Sequence, residues 1–477
     1  MDLLHSGILA VSNFLYQPFI VPLLLICGGL YFTIRTGAVQ LKLLKESVLV
    51  VMEKPTTENG ISSFGALMIS TASRVGTGNI IGVATAVVLG GAGALFWMWV
   101  VAILGSATAF IESTLAQVYK KKRDDGTSYG GPAFYMRDAL HARWLGIIFS
   151  VIIILTYAVG YNMLAAYNLQ STFEVFDFYH EGTTPAIIGV ILAVLFAAIV
   201  IGGAKRLTKV TGFLVPLMGI IYVGVSIIVI IINIKNIPEM FSAIFKSAFD
   251  FEAIFGGFAG SCLMNGVKRG LYSNEAGMGS APNAAATADV SHPVKQGLVQ
   301  MLSVYLDTII ICTATGFMCL SSGIGLEGYV SADGSADAAG YVQTAMQESL
   351  GSFGPIFIAV AMSLFAFTTL IGNYGYCEGC FAFILNRNMK KSEYMTFRVI
   401  ASVLVFVGAI SQAGFVWDLA DCLQASMVVL NVPTILLLGG TAFKCLKDYE
   451  KQKKAGIKNP IFLAKNIDLK EETDYWN

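Results

Sequence analysis

The sequence predicts an all-α polytopic membrane protein of about 11 transmembrane helices: a 5+5 inverted repeat with a broken first helix in each repeat, plus one N-terminal helix. Three observations predict it. The 477 residues are 55% hydrophobic and 13% charged, with a mean hydropathy of +0.68; a soluble chain carries about 25% charged residues. The chain holds eleven apolar runs of about 20 residues or more, at 12–34, 61–89, 93–119, 143–172, 185–203, 210–234, 248–271, 294–320, 353–384, 394–412 and 415–443. Two of these runs are interrupted by glycines, and counting spans makes them enter the membrane from opposite sides.

Taken in order, residues 1–60 form an N-terminal transmembrane helix and an amphipathic helix near 38–54, with Val39, Leu41, Leu44 and Val48 set against Lys42, Lys45 and Glu46. That pattern suits a helix lying at the membrane surface. The run from Phe14 to Tyr31 lacks preceding basic residues and a small-residue cleavage site, so it reads as a retained span. Residues 61–234 make the first five-helix repeat and 248–443 the second, inverted one; 444–477 form a charged, flexible cytoplasmic tail. Of the 31 lysines and arginines, all but Lys235, Lys246 and Arg74 fall on the same side, including Lys120–Arg123, Lys205–Arg206, Lys268–Arg269 and Arg387. Basic loops stay inside, which sets the N-terminus outside and the C-terminus in the cytoplasm of a plasma (inner) membrane.

The first interrupted run centres on Ser73-Arg74-Val75-Gly76-Thr77-Gly78-Asn79. Glycine costs about 1 kcal/mol in a helix interior, and an arginine at mid-bilayer at least about 2.5 kcal/mol. Non-helical backbone survives at that depth only within protein or against a water-filled cavity. The stretch therefore reads as a helix that stops and restarts near Thr77, its freed amides favouring a negative charge. The second interruption is placed at Phe255-Gly256-Gly257-Phe258-Ala259-Gly260-Ser261. Broken helices at matching places in inverted halves point to a secondary transporter with its site at the midplane. Polar residues at comparable depth agree: Thr77, Asn79, Asn162, Ser261, Asn265, Thr368, Thr369 and Asn373. Gly260, Ser261, Met264 and Asn265, at or after the second break, are candidates for the substrate's amine or side chain. Arg74 needs a carboxylate, and Glu112, Asp307 and Glu378 are the candidates within spans. Glu275 reads as a loop anchor near the inner surface.

Other functions lack their residues. A net charge of zero gives no reason for a nucleic-acid partner. The eight cysteines lie mostly in apolar runs, which argues against a disulfide framework, and Cys377–Cys380 is a lone C-x-x-C. No H-E-x-x-H, G-x-S-x-G or G-x-x-x-x-G-K-[ST] occurs, so the chain is not expected to be an enzyme. No obligate protein partner is evident. A channel would repeat a pore loop with rotational symmetry, unlike these inverted halves.

Three motifs carry a resemblance: Ser73-Arg-Val-Gly-Thr-Gly-Asn79, Gly130-Gly-Pro-Ala-Phe-Tyr-Met136, and Lys268-Arg-Gly-Leu-Tyr-Ser-Asn-Glu-Ala-Gly-Met-Gly-Ser-Ala-Pro282. With them the chain resembles the sodium:alanine/glycine symporter family, whose architecture is similar to that of leucine-type sodium symporters. The resemblance implies sodium-coupled uptake of a small neutral amino acid. It implies that the amides of Thr77 and Gly78 hold the substrate carboxylate, with Gly76 beside them in the substrate site. The Asn79 side chain and the Arg74 carbonyl would face an adjoining sodium ion. The carbonyls of Ala72 and Val75, with Phe365, Thr368 and Thr369 at i, i+3, i+4 spacing, would form a second ion position. A proton-coupled carrier is the alternative.

Two departures concern specificity. Asn162-Met163 is followed by Leu164-Ala165-Ala166-Tyr167 where the family has Gln-Ala-Asn, and Asn373 follows Thr368-Thr369-Leu370-Ile371-Gly372 where the family commonly has tryptophan. Smaller side chains give a roomier, more polar pocket, suited to glutamine besides or instead of alanine and glycine.

Overall fold

The computed structural model describes residues 2–57, 60–123, 126–257, 260–331, 334–387 and 389–476. Phe258 and Ala259 of the expected second break lie outside them. Among the described residues, seven helices are long and apolar enough to cross a membrane, and a bent pair makes an eighth span.

Eight helices build the site. The bent pair is α1 (Ser63–Arg74) and α2 (Gly78–Gly90), at 54° to each other. They are followed by α3 (Gly93–Val118), α4 (Arg143–Ser171), α5 (Cys262–Asn274), α6 (Pro293–Ser321), α7 (Phe353–Leu385) and α8 (Ala413–Lys454). α3 packs against α5 and α6, and α7 against α1 and α4. Outside them, Thr184–Val200 pairs with Lys391–Ala409.

Local chemistry sets the boundaries. Ser62 caps α1, its hydroxyl accepting from the Gly65 amide at 3.1 Å. α1 ends because Val75 turns extended (φ −75°, ψ 90°), and the chain rewinds through a π-helical turn, Gly78–Gly82. Ser261 caps α5 by accepting from Met264 N at 3.2 Å. Glu275 ends α5 in the left-handed region (φ 57°). Gly277 and Gly279 also have positive φ before a short helix, Ala281–Ala285, resumes.

α1 starts beside Ala288, through an Ile61–Ala288 bridge, and α2 ends beside Cys262 and Asn265. α5 and Ala281–Ala285 run the opposite way, so two interrupted segments cross antiparallel. The second segment is interrupted at 275–280. The expected interruption at 255–261 lies at the far end of α5, where Phe255 is 77% exposed. The chain is interrupted there too, one helix ending at Gly256 and α5 starting at Cys262. The positive φ angles that end α5 sit in the Glu275-Ala-Gly-Met-Gly stretch instead.

Three more expectations are corrected. The run 12–34 is two helices, Asp2–Leu15 and Val21–Arg35. Lys268 and Arg269 do not join Lys121 and Arg387 at one end of the molecule; they lie midway along α5 and face Asp421 of α8 at 3.7 and 2.8 Å. The tail is docked: Trp476 is buried, with Nε1 donating to Gln117 O at 2.9 Å, and Phe462 N donates to Ser291 O at 2.9 Å. Phe462, Tyr475 and Trp476 give this charged segment apolar surface to bury.

Candidate functional site

The first break is closed by its own asparagine. Gly76 N donates to Asn79 Oδ1 at 2.7 Å, and Asn79 N donates to Gly76 O at 3.1 Å. The Asn79 amide nitrogen donates to Asp307 Oδ1 at 2.7 Å and to Ser273 Oγ at 3.1 Å. Asp307 Oδ2 accepts from Ser273 at 2.7 Å and from Thr308 at 2.8 Å. All four side chains are fully buried. A carboxylate out of water costs several kcal/mol, and these hydrogen bonds come from neutral groups. Such a set of hard oxygens beside the break is suited to a small hard cation.

A second oxygen cluster forms where α7 crosses α1. A side chain at Gly372 would meet the Ala72 carbonyl carbon and Ser73 Cα at 2.8 Å, so only glycine allows this approach. The approach seats the Thr369 hydroxyl directly on Gly76. Thr369 Oγ1 is buried, with no hydrogen-bond partner among the described residues. Its neighbour differs: the Thr368 hydroxyl donates to its own helix, to Leu364 O at 3.0 Å and Phe365 O at 3.1 Å. The Phe365 ring packs edge-on to Tyr222.

On the other flank, Ser73 Oγ stands 2.6 Å from Asn373 Oδ1, and Asn373 Nδ2 donates to Asn162 Oδ1 at 2.9 Å. Asn373, which departs from the family pattern, thus touches Asn162, two residues before the other departure at Leu164. Asn162 Nδ2 is buried without a partner among the described residues. The Thr77 hydroxyl meets the Tyr272 hydroxyl at 3.2 Å and accepts from Asn168 Nδ2 at 3.4 Å. Tyr161, Tyr272 and Trp417 stack edge-to-face above it at 4.9 and 5.4 Å, with Arg269 4.3 Å over Trp417.

The second break meets the first through charge. Ser73 Oγ donates to Glu275 Oε1 at 2.9 Å, Ser280 Oγ donates to Oε2 at 2.8 Å, and Arg74 Nε stands 3.9 Å from Oε2. Arg74 Nη1 donates to Gln300 O at 3.3 Å. Arg74 is buried, and its partner is Glu275, not one of the three carboxylates expected; Glu378 faces Arg398 instead. Glu275 is an interior residue, not a surface anchor. Three π-helical stretches, Gly78–Gly82, Leu155–Gly160 and Tyr305–Cys312, converge on this region. Such stretches frequently mark functional sites.

The structure therefore gathers Ala72, Arg74, Val75, Gly76, Thr77, Gly78, Asn79, Asn162, Thr369 and Asn373 in one place. Phe365 and Thr368 lie on the same helix, with the Thr368 hydroxyl turned away. Gly260, Ser261, Met264 and Asn265 are not brought there. They sit a helix length off, Asn265 Cβ against Gly90, because α5 starts at the rim and only its last turn reaches the centre. The sequence offers Asp307 only as a candidate partner for Arg74 and assigns no site role to Ser273 and Tyr272. A lone aspartate in an apolar run was the available signal. A cavity of about 540 Å³, lined by Ile69, Arg123, Tyr129, Asn283 and Tyr376 among others, reaches the Ser70–Tyr376 contact from the end that carries Arg123.

Comparison with known proteins accords with this geometry. The chain is 43% identical over 464 residues to a probable sodium/glutamine symporter, GlnT, of Bacillus subtilis (strain 168), covering 97% of this chain and 94% of that one. It is 41% identical over 462 residues to a putative sodium/proton-dependent alanine carrier, YrbD, of the same organism, covering 94% and 93%. A solved manganese transporter from Eremococcus coleocola shares the fold, with a TM-score of 0.52, 11% identity and coverage of 85% and 84%. The model of the sodium:alanine symporter family matches residues 1–464. This polytopic membrane transporter belongs to the sodium:alanine symporter family.

Proposed function

We propose that the chain imports a small neutral amino acid together with sodium by alternating access. One observation carries the reading: the break at Gly76–Thr77 faces buried polar atoms with no partner among the described residues, Asn162 Nδ2 and Thr369 Oγ1, and adjoins the Asp307 carboxylate through Asn79. The substrate carboxylate lies at the start of α2, where the amides of Thr77 and Gly78 favour an anion. One sodium is held beside it by Asp307, Asn79, Ser273 and Thr308. The carbonyls of Ala72 and Val75 with Thr369 offer a second ion position. Each bound cation lowers the cost of the other buried charges, so substrate and sodium bind cooperatively.

Architecture follows the same reading. Eleven spans divide into halves at 61–234 and 248–443, each led by an interrupted helix, the second one broken at 275–280. The end that carries Lys121, Arg123 and Arg387 faces the cytoplasm, and the cavity beside Tyr376 is the inner vestibule. The smaller side chains at Leu164–Ala166 and Asn373 widen and polarise the pocket toward glutamine, besides alanine and glycine; the relative named for glutamine supports that range.

The relative named for both sodium and proton favours a second reading, proton coupling through the same buried carboxylates. Reconstituted vesicles decide between them. Uptake of twenty amino acids is measured under sodium, lithium and proton gradients. Concentrative alanine or glutamine uptake that follows the sodium gradient is expected. Uptake that follows pH alone selects the proton carrier, and ion current without substrate dependence overturns both.

A further inference from the structure

The motif Gly130-Gly-Pro-Ala-Phe-Tyr-Met136 has no part in the site described above, yet its tyrosine reaches the second break. A small hairpin, Lys121–Lys122 against Ser128–Tyr129, leads into the motif, and Tyr129 and Gly130 line the vestibule. A side chain on Gly130 would meet Ala286 at 2.8 Å, so the motif lies against the end of Ala281–Ala285. From the short helix Pro132–Asp138, the Tyr135 hydroxyl donates to Asn431 Oδ1 of α8 at 2.5 Å. Asn431 Nδ2 donates to Gly277 O at 2.9 Å and to Glu112 Oε2 of α3 at 2.8 Å. Glu112 also accepts from Gly279 N at 3.2 Å and, at 3.5 Å, from Gly277 N. Every member is buried. Gly279, at φ +79°, lies so close to Asn431 that any side chain would strike it at 2.8 Å. The break thus has one polar clamp on it, and the clamp is anchored to the vestibule wall.

We propose that Tyr135 and Asn431 are positioning residues for transport, coupling the vestibule-lining hairpin to the second break through Glu112. A buried network in which each polar group is satisfied is rigid, and removing one member frees the rest. When the hairpin moves to open or close the vestibule, the Tyr135–Asn431 bond carries that movement to Gly277 and Gly279, whose turn orients Glu275 toward Ser73 and Arg74. The inference rests on the transporter reading.

The test is Tyr135→Phe, which removes one hydroxyl and keeps the ring. Hydrogen exchange of amides 276–280 in the purified protein is expected to speed by about fivefold, the factor one hydrogen bond is worth. In vesicles, maximal uptake falls about fivefold or more while KM stays within about twofold, since no contact with substrate is lost. Asn431→Asp, which loses the N–H offered to Glu112, gives the same faster exchange and serves if Tyr135→Phe does not reach the membrane. Unchanged exchange at 276–280, or a raised KM with full maximal rate, overturns the proposal. If the wild type takes up no amino acid under any gradient, the transport reading fails while the exchange measurement still decides the clamp.

Discussion

Asn79 joins three things that would otherwise be separate: the Gly76 amide, the Asp307 carboxylate and the Ser273 hydroxyl. Asn79→Ala leaves buried groups unpaired at about 1–3 kcal/mol, so the affinities for substrate and for sodium are both expected to fall about 10- to 100-fold. Uptake titrated with sodium at several substrate concentrations measures this, and wild-type sodium dependence would contradict the assignment. The two threonines of α7 make a sharper contrast. Thr369→Val removes a hydroxyl seated on Gly76, whereas Thr368→Val removes one already bonded to Leu364 O and Phe365 O. Half-saturation for sodium should rise about tenfold or more in the first, and within about twofold in the second. Equal effects would remove the distinction drawn from the structure. At this scale the sequence was partly legible. Residues 72–79 are contiguous and their glycines conspicuous, so they could be named. Asp307 could not be assigned, because nothing local says that its π-helical turn faces Asn79 from 228 positions away.

At the scale of the element, the interrupted helix is what the chain maintains at a cost. Gly76 and Gly78 weaken a helix by about 1 kcal/mol each, and a burial site for Arg74 must be built around Glu275. A side chain at Gly78 would lie 2.8 Å from the Tyr272 ring. Gly78→Leu is therefore expected to abolish uptake while the protein still inserts; surface labelling beside an uptake assay separates the two. Beyond the first break the chain is interrupted both between Gly256 and Cys262 and at 275–280, and it is Glu275 of the latter that meets Ser73 and Arg74. Phe255-Gly-Gly-Phe-Ala-Gly is the more conspicuous glycine cluster, and a helix ends in it at Gly256, but it lies at the end of α5 away from Ser73. Glu275, with no glycine's freedom, sits at φ 57° where bonds from Ser73 and Ser280 hold it. Strain of that kind persists where surrounding contacts over-determine the backbone.

For the molecule as a whole, the basic end is closed by the tail. Trp476 and Tyr475 cover Lys120 at 5.0 and 4.5 Å, and Asp474 faces Lys121 at 3.2 Å. Burial pushes the Lys120 ammonium down to about 7, against the opposing pull of Asp289. Its folded value is below the usual lysine range, so the docked arrangement loses stability as pH falls from the usual lysine range toward about 7, and the loss levels off below that. Trp476→Ala removes the indole bond to Gln117 and is expected to speed trypsin cleavage near Lys458 and Lys465. Unchanged cleavage between about pH 7 and 10 in both proteins would show that docking does not depend on these contacts. The charged composition of 444–477 hid this, since four aromatics among many charges read as solvated chain.

Composition and run length alone settled the membrane class, and three motifs settled the family, because hydropathy and glycine spacing are properties of neighbouring residues. What pairs with Arg74, which threonine keeps its hydroxyl free and where the second helix breaks were decided only in three dimensions. Ser73 meets Glu275 across 202 positions and Asn373 across 300. Contacts of that range depend on how close two helices approach, and here glycines at 76 and 372 let α1 and α7 touch backbone to side chain.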